Sequence, residues 1–302
     1  MRLLSLSLLA AVVLCSCKKN QKAEARAQLV FKFKFDSTQL RLDNIGQPSN
    51  IAAGGAAQSP VFNAMSAHYL ELAPTAFTAL GSGLVLWRAP EVASATGPAI
   101  DFDQSNVVGD GGTFFSTPLR NIPPGEYEWL RLSVAYQNFD VKYSIDTTIA
   151  GNRIQQEASG TIAGFIGFNN FIRSFRVKER SIAVNGARPQ GFWGFESALR
   201  YNGITFTVLD SATAPSGATT VVNPLFTSSP VPAGSCVVTG SFLPGKLRIT
   251  GAETENIVVE VSLSTNKSFE WDDRMPNGRW EPLKGEKVRD MGLRGMLPRI
   301  ME

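Results

Sequence analysis

Between Leu29 and Asp36 apolar and polar residues alternate: Phe31, Phe33 and Phe35 interleave with Lys32 and Lys34. A period of two is that of a β-strand with one face buried and one in water. Strand-like runs recur to the end of the chain, at Leu84 to Trp87, Thr113 to Ser116, Tyr127 through Ile145, Gly160 to Phe168 and Phe171 to Val184. Further runs cover Ile204 to Leu209, Cys236 to Phe242, Leu247 to Thr250 and Ile257 to Trp271. Turn formers separate them: Asp110-Gly111-Gly112 before Thr113, Pro123-Pro124-Gly125 before Tyr127, and Pro276-Asn277-Gly278 between two Trp-bearing segments. Beyond the first residues, no segment sustains a 3.6-residue apolar period with caps. The pattern predicts an all-β chain, an antiparallel β-sandwich of Ig-like or jelly-roll-like form with long loops.

Two stretches interrupt the strand rhythm. Ser49 to Pro60 is rich in Ala and Gly, and Asp210 to Gly234 is rich in Ser, Thr, Ala and Pro. Both read as long loops, either functional or covering a sheet edge. We expect a β-sandwich domain over residues 29–302. If it is subdivided, the boundary falls near 210–235.

The first residues follow other rules. Arg2 precedes an apolar run from Leu3 to Leu14. As a helix at about 1.5 Å per residue it would measure about 18 Å, against the roughly 30 Å of a bilayer core. That is the length of a signal-peptide core rather than of a membrane span. Leu14-Cys15-Ser16-Cys17 at its end resembles the lipobox of bacterial lipoproteins: an aliphatic residue, two small ones, then cysteine. The resemblance implies cleavage after residue 16, a diacylglyceryl thioether on Cys17 and acylation of its amine. An ordinary secretory signal with an incidental cysteine is the alternative. Two or more acyl chains hold a protein on a membrane where one does so only marginally. Residues 17–28 then form the lipidated cysteine and a polar tether, about 18 Å long on average as flexible coil. In the sorting rule of such lipoproteins, Asp beside the lipidated Cys favours the inner membrane. Lys18 and Lys19 therefore point to the outer membrane, leaving periplasmic and surface display both open.

Composition narrows the chemistry. The formal net charge of +3 loses one unit with Arg2, and the basic residues are not gathered into a stripe, which argues against a nucleic-acid partner. Of 3 cysteines, Cys15 leaves with the signal and Cys17 carries lipid. Cys236 then remains alone, without an intramolecular disulfide, and reads as a buried small hydrophobe in a strand. His68 is the only histidine, so any His-dependent nucleophile or metal site must use it.

Candidate sites follow. A soft copper site would draw on His68 and Met65, although residues three apart on a strand point to opposite faces. Asp101-Phe102-Asp103-Gln104-Ser105-Asn106 places oxygen ligands at alternate positions, as calcium loops do, but lacks the EF-hand continuation. A solvated turn is the competing reading. Trp193 and Glu196, and Glu270, Trp271 and Asp272, combine aromatics with carboxylates, the raw material of a glycan-binding or glycan-processing surface. The glycines of Gly160 to Gly167 are expected to permit bulges or tight sheet packing rather than a phosphate loop. Arg274 to Arg299 holds seven Lys or Arg and reads as a mixed, solvated segment or a contact for anionic headgroups.

Taken together, FKFKFD, SAHYLEL, PPGEYEWLRLSVAYQNFDV, VSLSTNKSFEW and DMGLRG resemble segments of diderm lipoproteins, and of MbnP-like β-sandwich proteins among them. Members of that group are implicated in copper binding near a di-haem partner. The resemblance implies the β-sandwich fold, and it transfers no site residue. The sequence reading is of a non-enzymatic, membrane-anchored lipoprotein that binds a ligand or an envelope protein partner. A copper-associated periplasmic lipoprotein and a glycan-binding or glycan-processing protein are the alternatives.

Overall fold

The computed structural model describes residues 27–43, 45–75, 78–149, 151–214 and 236–301. Cys17 and most of the tether lie outside them, as does nearly all of the second long loop. The described chain is an antiparallel β-sandwich, with strands numbered here along the sequence. One sheet runs β20 (Met296–Met301), β17 (Ile257–Ser264), β1 (Gln28–Asp36), β7 (Thr113–Pro118). The largest sheet runs β14 (Ile204–Thr213), β13 (Phe192–Tyr201), β10 (Asn152–Phe165), β9 (Trp129–Ile149), β3 (Val61–Ala73), β4 (Leu84–Arg88). Strand β15 (Cys236–Ser241) also pairs with β9. A third sheet holds β12 (Ser181–Pro189), β11 (Asn169–Arg176), β6 (Gly97–Asp101) and β5 (Glu91–Ser94). Two small sheets pair β16 (Leu247–Ile249) with β8 (Gly125–Tyr127), and β19 (Val288–Met291) with β18 (Phe269–Asp272) and β2 (Gly55–Gln58).

The alternation of β1 becomes a packing fact. Leu29, Phe31 and Phe33 are fully buried while Lys32 is exposed, and the Phe33 ring stacks on Phe114 at 4.6 Å. Strand β1 pairs in parallel with β17, Phe33 opposite Val261. This is a departure from purely antiparallel pairing, and β11 pairs β6 in the same sense. The first long loop is also shorter than expected, because Gly55–Gln58 pairs with β18. Asp210–Thr213 likewise belong to β14 rather than to a loop. The run Phe171 to Val184 divides into two strands joined by a turn at residues 177–180.

Strand β9 is the spine. One edge takes β3; the other takes β15 and then β10. Its buried residues change parity midway: Leu130, Leu132 and Val134 lie in one core cluster, and Phe139, Val141, Tyr143 and Ile145 in another. The cause is a bulge. Ser66 pairs Tyr136 and Ala67 pairs Val134, so Ala135 is an extra residue on β9. On β3 the extra residues are Asn63, between the pairs Phe62–Phe139 and Ala64–Asn138, and His68, since Ala67 pairs Val134 and Tyr69 pairs Ser133. An inserted residue reverses which parity points inward. Met65 and Ala67 therefore share a core with Leu70 and Leu72, and the sheet keeps one continuous inner face.

Candidate functional site

The inner face of β9, β10, β13 and β14 is concave. Tyr143 and Ile145 on β9, Ile154 and Ile162 on β10, and Trp193, Phe195, Leu199 and Tyr201 on β13 point to it at the period of two. Ile162 lies opposite Phe195, and Phe195 opposite Asp210, so each row crosses three strands. A Cβ at Gly160 would collide with the Phe195 ring, so glycine there lets the ring lie flat across β10. The Tyr143 hydroxyl is satisfied within the floor: it donates to Ser197 Oγ at 2.8 Å, which donates to the Ser159 carbonyl at 2.8 Å.

A segment from Trp280 to Met291 covers this face. The Trp280 carbonyl accepts from the Ser144 amide at 2.8 Å, and its ring sits edge-on to Phe269 at 4.8 Å and to Tyr143 at 6.1 Å. Lys284 Nζ reaches Asp146 at 3.2 Å and Glu281 at 2.7 Å, and the Gln137 amide donates to the Met291 carbonyl. Arg153 foremost, with Lys284, holds the Asp146 carboxyl well below the usual carboxylate range. Between floor and cover lies a cavity of about 760 Å³, within the roughly 300–1,000 Å³ of sites that hold small ligands. Its lining is predominantly apolar, with Thr147, Gln156, Asp210, Glu286 and Lys287 among its polar members.

One wall is the edge strand β14. All ten of its residues are exposed. Phe206 and Val208 line the cavity yet stay 51% and 39% accessible. Exposed apolar side chains along a sheet edge are costly and usually mark a surface that something covers.

The expected site residues disperse. Trp193 lines the cavity, but Glu196, three residues on, points to the other face. Its Oε2 accepts the amides of Lys178, Glu179 and Arg180, each at 3.0 Å. Burial pushes this carboxyl up, but the three donors outweigh burial and hold it below its ordinary value. Glu270 is buried between Arg41 (2.6 Å) and Arg294 (2.7 Å), and Arg294 also reaches Asp290 at 2.9 Å. Trp271 is core, and Asp272 pairs with Arg289. The five residues of these two aromatic-acid clusters thus lie in five different surroundings.

His68, the bulge residue, is fully buried. Its Nε2 meets Glu91 at 2.8 Å and its ring lies edge-on to Phe168 at 5.3 Å. Burial lowers its imidazole below the ordinary range, against the raising effect of Glu91. Met65 packs in the main core. Asp101 caps the short helix Phe102–Gln104 and accepts from Gln104 Nε2 at 2.7 Å, while Arg173 bridges Asp101 and Asp103. Among the described residues no group of three or more His, Cys, Asp or Glu is placed to hold a metal ion. Cys236 is buried, and burial pushes its thiol up to about 12.

Sequence reasoning named Trp193 and missed the rest of the cavity. The alternation Trp193, Phe195, Leu199, Tyr201 was legible as a strand face; Phe206, Trp280 and Lys287 join it only through the fold. No family model matches the chain, and comparisons with curated proteins and with solved structures likewise return no match.

Proposed function

We propose that this chain is a lipoprotein of the outer membrane, anchored through Cys17, whose β-domain binds an apolar small molecule without transforming it. The observation that carries the reading is the cavity between β9, β10, β13, β14 and the Trp280–Met291 segment, apolar in lining and open along an exposed apolar edge strand. The acids nearest to a catalytic reading favour binding instead, since Glu196, Glu270 and Asp272 are engaged by amides or arginines outside the cavity. The lipobox-like Leu14-Cys15-Ser16-Cys17 supports the anchor.

Two measurements test this. A solvatochromic apolar dye such as N-phenyl-1-naphthylamine is expected to brighten saturably on the purified chain, and Leu199→Glu, a charge on the cavity floor, is expected to abolish the signal. Equal brightening of the variant would remove the cavity from the reading. Cys17→Ser is expected to release the protein from sedimenting membranes with its thermal transition intact; a variant that still sediments would overturn the anchor.

A further inference from the structure

We infer that the ligand is a single-chain amphiphile with an anionic head, seated with its chain along the floor and its head at Lys287; this rests on the proposal that the cavity binds a small molecule. Three observations lead there. The floor is long: Trp193 to Tyr201 on β13 spans about 26 Å at roughly 3.3 Å per residue. One acyl chain crosses one leaflet, about half of a roughly 30 Å bilayer core, so an extended chain and its head fit this length.

Second, the cover carries a cation that the protein does not neutralise. Lys287 lines the cavity, is exposed, and forms no ion pair among the described residues. Lys284, three residues earlier, is committed to Asp146 and Glu281. The two carboxylates in the lining form no ion pair with Lys287 and accept backbone amides instead. Glu286 accepts the Glu281 amide at 2.7 Å and the Met275 amide at 3.4 Å, and Asp210 accepts the Ser211 amide at 2.8 Å.

Third, one wall is apolar and open: Phe206 and Val208 line the cavity yet stay 51% and 39% accessible. An apolar tail would cover them, and a carboxylate or phosphate head would give the Lys287 ammonium its counter-charge.

The test is native mass spectrometry of the purified full chain with palmitate, lysophosphatidylglycerol and hexadecanol as probes. The anionic probes are expected to bind at least about tenfold more tightly than hexadecanol, the scale of one charge-assisted hydrogen bond. Lys287→Gln is expected to remove that advantage, so that the three probes bind with comparable affinity. Lys287 is exposed, so the variant folds. The tighter of the two anions identifies the head as carboxylate or phosphate. If hexadecanol matches them and Lys287→Gln changes nothing, the inference is overturned while cavity binding stands. If none of the three binds and the apolar dye also fails, the underlying reading falls with it.

Discussion

The two ends of β9 face different partners. From Trp129 to Val134 its inner residues meet Val259, Val261 and Leu263 of the opposing sheet, and the space between is filled with side chains. Beyond it, Phe139 and Val141 pack with Phe269 and Trp271, and then Tyr143 and Ile145 line the cavity under the Trp280–Met291 segment, where the sheet ends in an exposed strand. One strand with one continuous apolar face thus serves a closed core and an open groove. The difference lies in what covers it. A second sheet interdigitates with the first. A single segment, held by the short β19–β18 pairing, a few ion pairs and aromatic edges, does not fill the concavity beneath it.

Three substitutions should break or sharpen this contrast. The largest effect belongs to Glu270, which ties the start of the chain (Arg41) to its end (Arg294). Glu270→Ala leaves two buried guanidinium groups without their shared partner, and is expected to cost about 3–5 kcal/mol in chemical denaturation. The same group predicts a pH dependence. Burial pushes the Glu270 carboxyl up, but Arg294 and Arg41 prevail and hold it below its ordinary value. Its contribution is therefore complete above the unfolded-state value of roughly 4.3 and is lost as pH falls through the lower folded value. A variant lacking Glu270 should have a correspondingly flatter acid limb. A parallel decline in both proteins would show that other carboxylates govern acid unfolding.

Gly160→Val should act at the boundary between structure and site. Its added atoms collide with the Phe195 ring, and overpacking of this kind costs about 1–3 kcal/mol. Dye binding should fall with stability, because the ring is pushed into the cavity. Loss of stability with full dye binding would mean that the floor relaxes elsewhere. The smallest effect on stability, within about 0.5 kcal/mol, is expected for Phe206→Ser on the open edge. Ligand binding should nonetheless weaken. A stability loss as large as that of a core phenylalanine would show that β14 belongs to the closed part.

The sequence discloses the strands better than the site, for a definable reason. Period-two alternation is local, so Phe31, Phe33 and Phe35 announce β1 directly. The cavity depends on pairings between distant segments, such as Trp280 over Tyr143, which no local period encodes. Bulges interrupt local reading as well. The parity of buried residues along β9 reverses at Ala135, and along β3 at His68, so a strict alternation misplaces everything beyond them. Trp193 and Glu196 are the converse case: with no bulge between them, three residues of separation set them on opposite faces.

Cys236 adds a practical consequence. It lies on β15 opposite Val134, in the closed part, with its thiol pushed up to about 12 by burial. Alkylating reagents attack the thiolate, so at neutral pH they meet a silent group until β15 parts from β9. If Cys17 carries the proposed lipid, the rate of alkylation counts openings of the closed core. Comparing that rate with and without ligand reads whether occupancy of the groove stiffens the far end of the spine, using no label beyond the native cysteine.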